Sequence, residues 1–536
     1  MPSMRRIQYL RLGVLAILVL ALIKFMYQGS PPQVTQAIKV KSRVDSFWGP
    51  KVESPIDPII KDLAPEPPRE EDTVLQSKMK KVAGKMVKDF SHIEMKLVHL
   101  DLKGAPPKVS YYEQMFPLLS KLGANGLLIE YEDMFPFSGE LSVLKSPYAY
   151  SEDDLKNILH LAEIDNLEVV PLVQTFGHME YVLKHEKYRN LREVERYPNS
   201  LNPHNAETLP LIKAILTQIL EKHPKSSWVH IGSDEVYHLG EGQDSKSWLN
   251  SNKGDLSKMF LGHVKNVVDF VYAQFPEKNQ LMWDDMLRWL SIENIQASGI
   301  TQRVSPVLWI YHNNFNMAQI ESFISKYEKS GFTNIWFASA FKGASSANQM
   351  WTPMNLHAKN HQEWAKVVKT MSKFPKIHYS GIALTGWQRY DHYSVLCELL
   401  PVGIPSLAVC LKTLKYGQFT EEAKKDIAHI LGFSNINLEK NICEISSWFS
   451  RYHRKHRFAN PHKMETFSTK IIKANEEWES HIQALRSELD AIYFPDTVEE
   501  WMEENVNPYM DALRDLTKDF QEILPLYARP KVLLKK

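Results

Sequence analysis

Two adjacent carboxylates, Asp234 and Glu235, end the apolar, β-forming run Trp228-Val-His-Ile-Gly-Ser233. Acids paired at a strand's end suit carbohydrate chemistry, in which carboxyl groups move protons and steady developing positive charge. Neighbouring side chains of a regular strand point to opposite faces. Both acids therefore enter one pocket only where the strand is ending and its backbone is free to turn. Taken alone, an Asp-Glu step after a strand is more often a solvated turn or a helix N-cap, so its surroundings must overturn that reading.

Other apolar runs end in similar chemistry. They close on His99-Leu-Asp101-Leu-Lys103, Glu130-Tyr-Glu132-Asp133, Gln174-Thr-Phe-Gly-His178-Met-Glu180, Trp283-Asp-Asp285, Trp309-Ile-Tyr311 and Trp387-Gln-Arg389-Tyr-Asp391, and Trp336 opens a seventh that reaches Lys342. Four tryptophans interleaved with acids and amides fit a sugar pocket: rings pack on the apolar faces of a pyranose, and carboxylates accept from its hydroxyls. A metal site built from His178, Glu180 and His230 matches no ligand spacing. No Gly-x-Ser-x-Gly elbow and no phosphate-cradling Walker segment is present, which disfavours acyl and phosphoryl transfer. We expect neither a metal nor a cofactor. With 64 basic and 63 acidic side chains, the chain also offers no general field for nucleic acid.

Eight short runs must position these residues: Met95 to Leu102, Gly126 to Tyr131, Leu167 to Val173, Trp228 to Ser233, Gln280 to Trp283, Pro306 to Ile310, Asn334 to Ala340 and Gly381 to Thr385. Helical patterns separate most of them, and strand alternating with helix implies a parallel sheet. Eight such units favour an α/β fold closed into a (β/α)8 TIM barrel over residues 89–415, with its chemistry at the C-terminal ends of the strands. From about Leu414 strand signals vanish. Lys470 to Trp478 and Trp501 to Ile523 have helical spacing, so residues 416–536 read as a C-terminal helical region packed on the barrel. Cys397, Cys410 and Cys443 lack ligand or disulfide spacing and read as buried thiols.

At the other end, Arg5, Arg6 and Arg11 precede the apolar run Leu12 to Ile23. A basic flank before an apolar core reads as a cytosolic tail and signal-anchor over residues 1–30. A Pro- and charge-rich stem over 31–88 follows, too polar to fold alone. That describes a type II single-pass membrane protein facing the ER or Golgi lumen. One observation pulls the other way: no Asn-x-Ser/Thr sequon occurs in the chain, which keeps cytoplasm or nucleus open if the segment does not insert.

His230-Ile-Gly-Ser-Asp-Glu235, together with Gly177-His178 and Trp283, Trp309 and Trp387, resembles family 20 of the glycoside hydrolases, the β-N-acetylhexosaminidases. Asp101-Leu-Lys-Gly-Ala-Pro-Pro-Lys108, Val173-Gln-Thr-Phe-Gly-His-Met179 and Leu384-Thr-Gly-Trp-Gln-Arg-Tyr-Asp-His-Tyr393 carry the same resemblance. It covers about residues 95 to 415, with a further patch at Phe494-Pro-Asp and Glu499 to Asn505.

The resemblance implies a retaining exo-β-N-acetylhexosaminidase acting on glycans with terminal β-linked GlcNAc or GalNAc, the substrate's own 2-acetamido oxygen being the nucleophile. In that scheme Glu235 protonates the departing oxygen and later deprotonates water. Asp234 accepts the acetamide N–H, Tyr311 supplies a hydroxyl to the acetamide carbonyl, and Trp283, Trp309 and Trp387 wall the sugar. Asp101, Glu130, His178 and Asp285 are implied sugar contacts or supports of them. Where better-known members carry an arginine three residues beyond the first-strand Asp, this chain has Lys103 two beyond Asp101. Glu235 as an acid is expected to have its pKa raised by burial and by the Asp234 charge. Two other readings stay open: a retaining β-glycosidase with a protein carboxylate nucleophile such as Asp284, and a catalytically silent, membrane-tethered glycan-binding protein.

Overall fold

The computed structural model describes residues 93–349, 351–432, 454 and 461–523. The expected anchor and stem over residues 1–88, and Cys443, lie outside these residues. Eight parallel strands close into a barrel: β1 (Met95–Asp101), β2 (Gly126–Glu130), β3 (Glu168–Leu172), β6 (Trp228–His230), β7 (Asn279–Trp283), β8 (Val304–Trp309), β9 (Asn334–Lys342) and β10 (His378–Gly386). Round the barrel the order is β1, β10, β9, β8, β7, β6, β3, β2. Each of the eight anticipated runs supplies one strand.

These segments are strands because both of their faces are covered, as parallel sheets require. Along β1, Leu97 points into the barrel beside Leu128, Leu281 and Trp336. Its neighbour Val98 points outward into the layer shared with the helices. Helices Val109–Leu122, Glu152–Ile164, Thr208–Lys222, Leu256–Gln274, Ile292–Ser298, Met317–Ser330, Met354–Thr370 and Leu400–Tyr416 supply the outer ring. Local signals set their limits. Ser151 and Asp154 form a capping box at the start of the second, and Gly331, at φ 96°, ends the sixth.

Two features depart from expectation. Between β3 and β6 a small antiparallel pair, β4 (Arg192–Val194) with β5 (Tyr197–Leu201), stands apart from the barrel. Its short, polar strands carry little period-2 signal. The helix expected from Trp501 to Ile523 is divided at Val506 into Pro495–Asn505 and Asn507–Ile523. Pro508 has no N–H to bond back to Glu504, so the first helix cannot run through it.

The C-terminal helices dock on the barrel's rim. Leu489, Tyr493, Val498, Trp501 and Met502 bury themselves against Ala105, Leu396 and Leu399. The backbone N–H of Lys108 donates to the Ile492 carbonyl at 2.6 Å. Cys397 and Cys410 are buried free thiols. Among the described residues no helix is long and apolar enough to cross a membrane; the Leu12 to Ile23 run is not among them.

Candidate active site

The two-residue period that fills the barrel's apolar floor also builds the site above it. On β1 the inward series Leu97, His99, Asp101 climbs from that floor toward the C-terminal face, and β2 continues Leu128 with Glu130. β7 continues Leu281 with Trp283, β8 Val307 with Trp309 and then Tyr311, and β10 Ala383 with Thr385 and Trp387. Of these, Glu130, Trp283, Trp309, Tyr311 and Trp387 reach a cavity of about 450 Å³ at the strands' C-terminal ends. A pyranose with part of its leaving group fits such a volume.

Strand β6 stops early, and that brings both acids in. After His230 the backbone turns left-handed at Gly232 (φ 65°), Ser233 (φ 68°) and Glu235 (φ 42°). Such φ values are costly for Ser and Glu and persist only where the surroundings impose them. Several contacts do so. The Glu235 N–H donates to Asp285 Oδ2 at 2.9 Å, and Ser233 Oγ lies 3.1 Å from Thr175 Oγ1. Gly177 packs so closely that a Cβ there would sit 2.2 Å from the Asp234 carbonyl oxygen. Asp234 and Glu235 consequently face one cavity from consecutive positions.

His178, itself at φ 50°, joins them. Its Nε2 lies 3.4 Å from Asp234 Oδ2 and 3.2 Å from Glu235 Oε2. Burial alone would lower the imidazole's pKa, but Asp234, Glu235 and Glu180 hold it well above its usual value, so it carries a proton. Burial pushes Asp234 up to about 8, reinforced by Asp285 and Glu235 against the pull of His178. Glu235 reverses the sequence-based expectation. Burial pushes it up, but hydrogen bonds from His178 and Tyr237 and the His178 charge outweigh that and leave it below the ordinary carboxylate value. The pair's proton therefore favours Asp234.

A second electrostatic knot lies beside the pair. Lys103 Nζ contacts Asp101 Oδ1 at 3.3 Å and Glu132 Oε1 at 3.2 Å, all three side chains being buried. Burial would lower the lysine's pKa, yet Asp101, Glu130 and Glu132 hold it well above the usual range. Glu130 accepts from Gln174 Nε2 at 3.1 Å and meets His99 Nε2 at 3.3 Å. Burial pushes its carboxyl up, but Lys103 and His99 override that and hold it low.

Of the residues singled out from sequence, Glu130, His178, Asp234, Glu235, Trp283, Trp309, Tyr311 and Trp387 line the cavity. Asp101 and Asp285 do not. Asp101 accepts the Gln388 N–H at 2.7 Å, and Asp285 bonds the Glu235 N–H and the Trp309 indole N–H at 3.2 Å. Both hold wall residues in place. Asp284 is fully buried, gripped by Arg288 at 2.6 and 2.8 Å and by the Tyr327 hydroxyl at 2.7 Å, and does not line the cavity.

Several wall residues escaped selection from sequence. Gln174, Arg389 and Asp391 stood in the strand-end segments without a role, Glu180 was weighed only as a metal ligand, and Lys103 only as the residue standing near the family's arginine. Tyr237, two positions beyond Glu235, follows an irregular turn to which no strand period applies. Asn199 sits on β5 and left no signal, because that hairpin lies outside the repeating units.

A TIM barrel whose aromatic-walled C-terminal cavity holds two adjacent acids and a protonated histidine defines a glycoside hydrolase. The description "Glycosyl hydrolase family 20, catalytic domain" matches residues 108–390. Over 464 residues, 80% of this chain and 95% of the relative, the sequence is 44% identical to Hexosaminidase D of Homo sapiens. Hexosaminidase D of Bos taurus is 52% identical over 342 residues, 64% of this chain and 98% of that one. A crystal structure of a β-N-acetylhexosaminidase from Bacteroides fragilis aligns at 14% identity with a TM-score of 0.44, covering 66% of this chain and 68% of that one. The chain belongs to glycosyl hydrolase family 20.

Proposed function

We propose that this chain is a retaining exo-β-N-acetylhexosaminidase that removes terminal β-linked GlcNAc or GalNAc by substrate-assisted catalysis. The observation that carries the reading is the state of Asp234. Its Oδ2 faces His178, whereas its buried Oδ1 has no partner among the described residues. An unpaired buried acceptor costs about 1–3 kcal/mol, and an incoming acetamide N–H would relieve it.

The order of events follows from that acceptor. When the acetamide N–H bonds Asp234, the charged carboxylate is favoured, and its negative charge raises the affinity of Glu235 for a proton. His178 already touches both carboxyls, so the proton passes between groups in contact. Glu235, part-exposed beside Tyr237, then protonates the departing glycosidic oxygen while the acetamide oxygen attacks the anomeric carbon. Asp234 balances the positive charge on the oxazolinium ring, and the Tyr311 hydroxyl supports its oxygen. Water, deprotonated by Glu235, opens the ring with net retention. Holding the nucleophile on the substrate itself is worth up to about 7–11 kcal/mol of barrier.

The reading with Asp284 as protein nucleophile is disfavoured by the complete pairing of that carboxylate away from the cavity. The test uses Glu235→Gln and a thiazoline mimic of the bicyclic intermediate. We expect the variant to lose hydrolysis of poorly activated substrates and the mimic to inhibit the wild type. A mimic without effect contradicts the substrate-assisted step, and a wild type inert on all aryl glycosides favours a silent glycan-binding protein.

We further propose that Leu12 to Ile23 anchors the chain as a type II membrane protein. Residues 31–88 would be its stem, 89–415 its catalytic domain and 416–536 its C-terminal helical region. The flanking Arg5, Arg6 and Arg11 and the polar stem composition support this. Protease protection of the catalytic domain in intact vesicles is the expected outcome; free chain in cytoplasm or nucleus contradicts it.

A further inference from the structure

Arg389 is placed where the cavity wall meets the C-terminal helices. It lines the cavity two residues beyond Trp387, at the head of a loop that also supplies Tyr390 and Asp391. Its Nε donates to the Lys103 carbonyl at 3.1 Å and its Nη1 to the Ser394 carbonyl at 3.0 Å. One guanidinium thus ties the loop after β10 to the loop after its neighbouring strand β1, which carries Lys103. Neutral carbonyls cannot balance a guanidinium that is only 10% exposed. The balancing charge comes from outside the barrel, more than a hundred residues away. Glu500, on helix Pro495–Asn505, takes Nη1 and Nη2 on its two oxygens at 2.5 and 2.6 Å.

We propose that Glu500 is a positioning residue of the active site, and that the C-terminal helices complete the sugar-binding wall by locking Arg389 through a two-pronged ion pair. Planar fork-to-fork pairing fixes the direction of the guanidinium as well as its charge. Without Glu500 the guanidinium keeps only the Lys103 and Ser394 carbonyls, and the acids of the same lining, Glu180 and Asp391, draw it inward. Trp387, Tyr390 and Lys103 then lose their fixed spacing. Asp234, Glu235 and His178 stand on other loops and keep theirs. This inference rests on the hexosaminidase reading for its kinetics but not for its geometry.

The same helix provides a matched control. Glu499 makes an equivalent two-pronged pair with Arg486, at 2.5 and 3.0 Å, on the exposed side of the C-terminal helices and away from the cavity. Glu500→Gln and Glu499→Gln are compared in the full chain by steady-state kinetics on a 2-acetamido aryl glycoside, by thermal melting, and by hydrogen exchange over residues 387–396. For Glu500→Gln we expect KM to rise about tenfold with kcat and its pH profile within about twofold, and exchange in that loop to quicken. Glu499→Gln should match the wild type in all three. Glu500→Asp, which keeps the charge, should recover part of the KM and stands in if the Gln variant does not fold. Unchanged KM, or equal loop exchange in the two Gln variants, overturns the proposal, as does a fall in kcat at constant KM. A wild type without turnover would count against the hexosaminidase reading alone, since loop exchange still decides the latch.

Discussion

Asp234 and Glu235 divide a single proton, and the division is opposite to what sequence reasoning anticipates. From the sequence, a general acid near another carboxylate should have its pKa raised. The structure shows why it does not: His178 and Tyr237 both donate to Glu235, whereas Asp234 keeps one buried oxygen without a donor. No pattern in the chain says which carboxyl a histidine on another loop will favour. The consequence reaches stability. Asp234 titrates near 8 when folded and near 3.9 when unfolded. A raised folded pKa contributes stability that is complete below about pH 4 and is lost as pH climbs toward 8. Asp234→Asn has no such titration. Its melting temperature relative to wild type should therefore rise between pH 5 and pH 8, and a flat difference across that window would contradict the assigned protonation.

At the scale of elements, the site depends on one strand ending at His230, four positions before the first of its acids. The eight barrel strands were legible because parallel strands covered on both faces appear as short apolar runs, and the polar and aromatic residues at their ends, with the family resemblance, pointed to Glu130, Trp283, Trp309, Tyr311 and Trp387, which line the cavity. The turn after His230 was only partly legible. Gly232 hinted at it, but left-handed backbone at Ser233 and Glu235 is imposed by tertiary contacts with Thr175, Gly177 and Asp285. Asp101 and Asp285 share the parity of wall residues yet are spent on backbone and indole N–H groups, a distinction that requires coordinates. Gly177 is the most exacting position, since any Cβ meets the Asp234 carbonyl at 2.2 Å. Gly177→Ala must displace that backbone, and a misplacement near 1 Å costs about a hundredfold in rate. We expect kcat/KM to drop by about that factor, measured on an activated aryl glycoside; near-wild-type kinetics would show that the acid loop tolerates movement.

Over the described residues the chain forms a barrel on whose rim the C-terminal helices dock. The helical character of the C-terminal region was legible from its periodicity. So was its packing on the barrel, but the docking contacts themselves were not, because pairs such as Lys108 with Ile492 and Arg389 with Glu500 join segments more than a hundred residues apart. Trp501, almost fully buried between the C-terminal helices and the loop residues Leu396 and Leu399, anchors that docking. Trp501→Ala should destabilise the fold by about 3–5 kcal/mol, read as a lower urea midpoint. A change below about 1 kcal/mol would indicate that the helices contribute little to the barrel's integrity.

The central claim is that Asp234 steers the substrate's own amide while Glu235 moves the proton. Its most direct test is the ratio of kcat/KM for a 2-acetamido aryl glycoside to that for its 2-hydroxy counterpart, in wild type and in Asp234→Asn. The account predicts a ratio of about a thousandfold or more in wild type, reflecting the intramolecular nucleophile, and its collapse by at least about tenfold in the variant. Comparable turnover of both glycosides by the wild type, or a ratio untouched by Asp234→Asn, would contradict it.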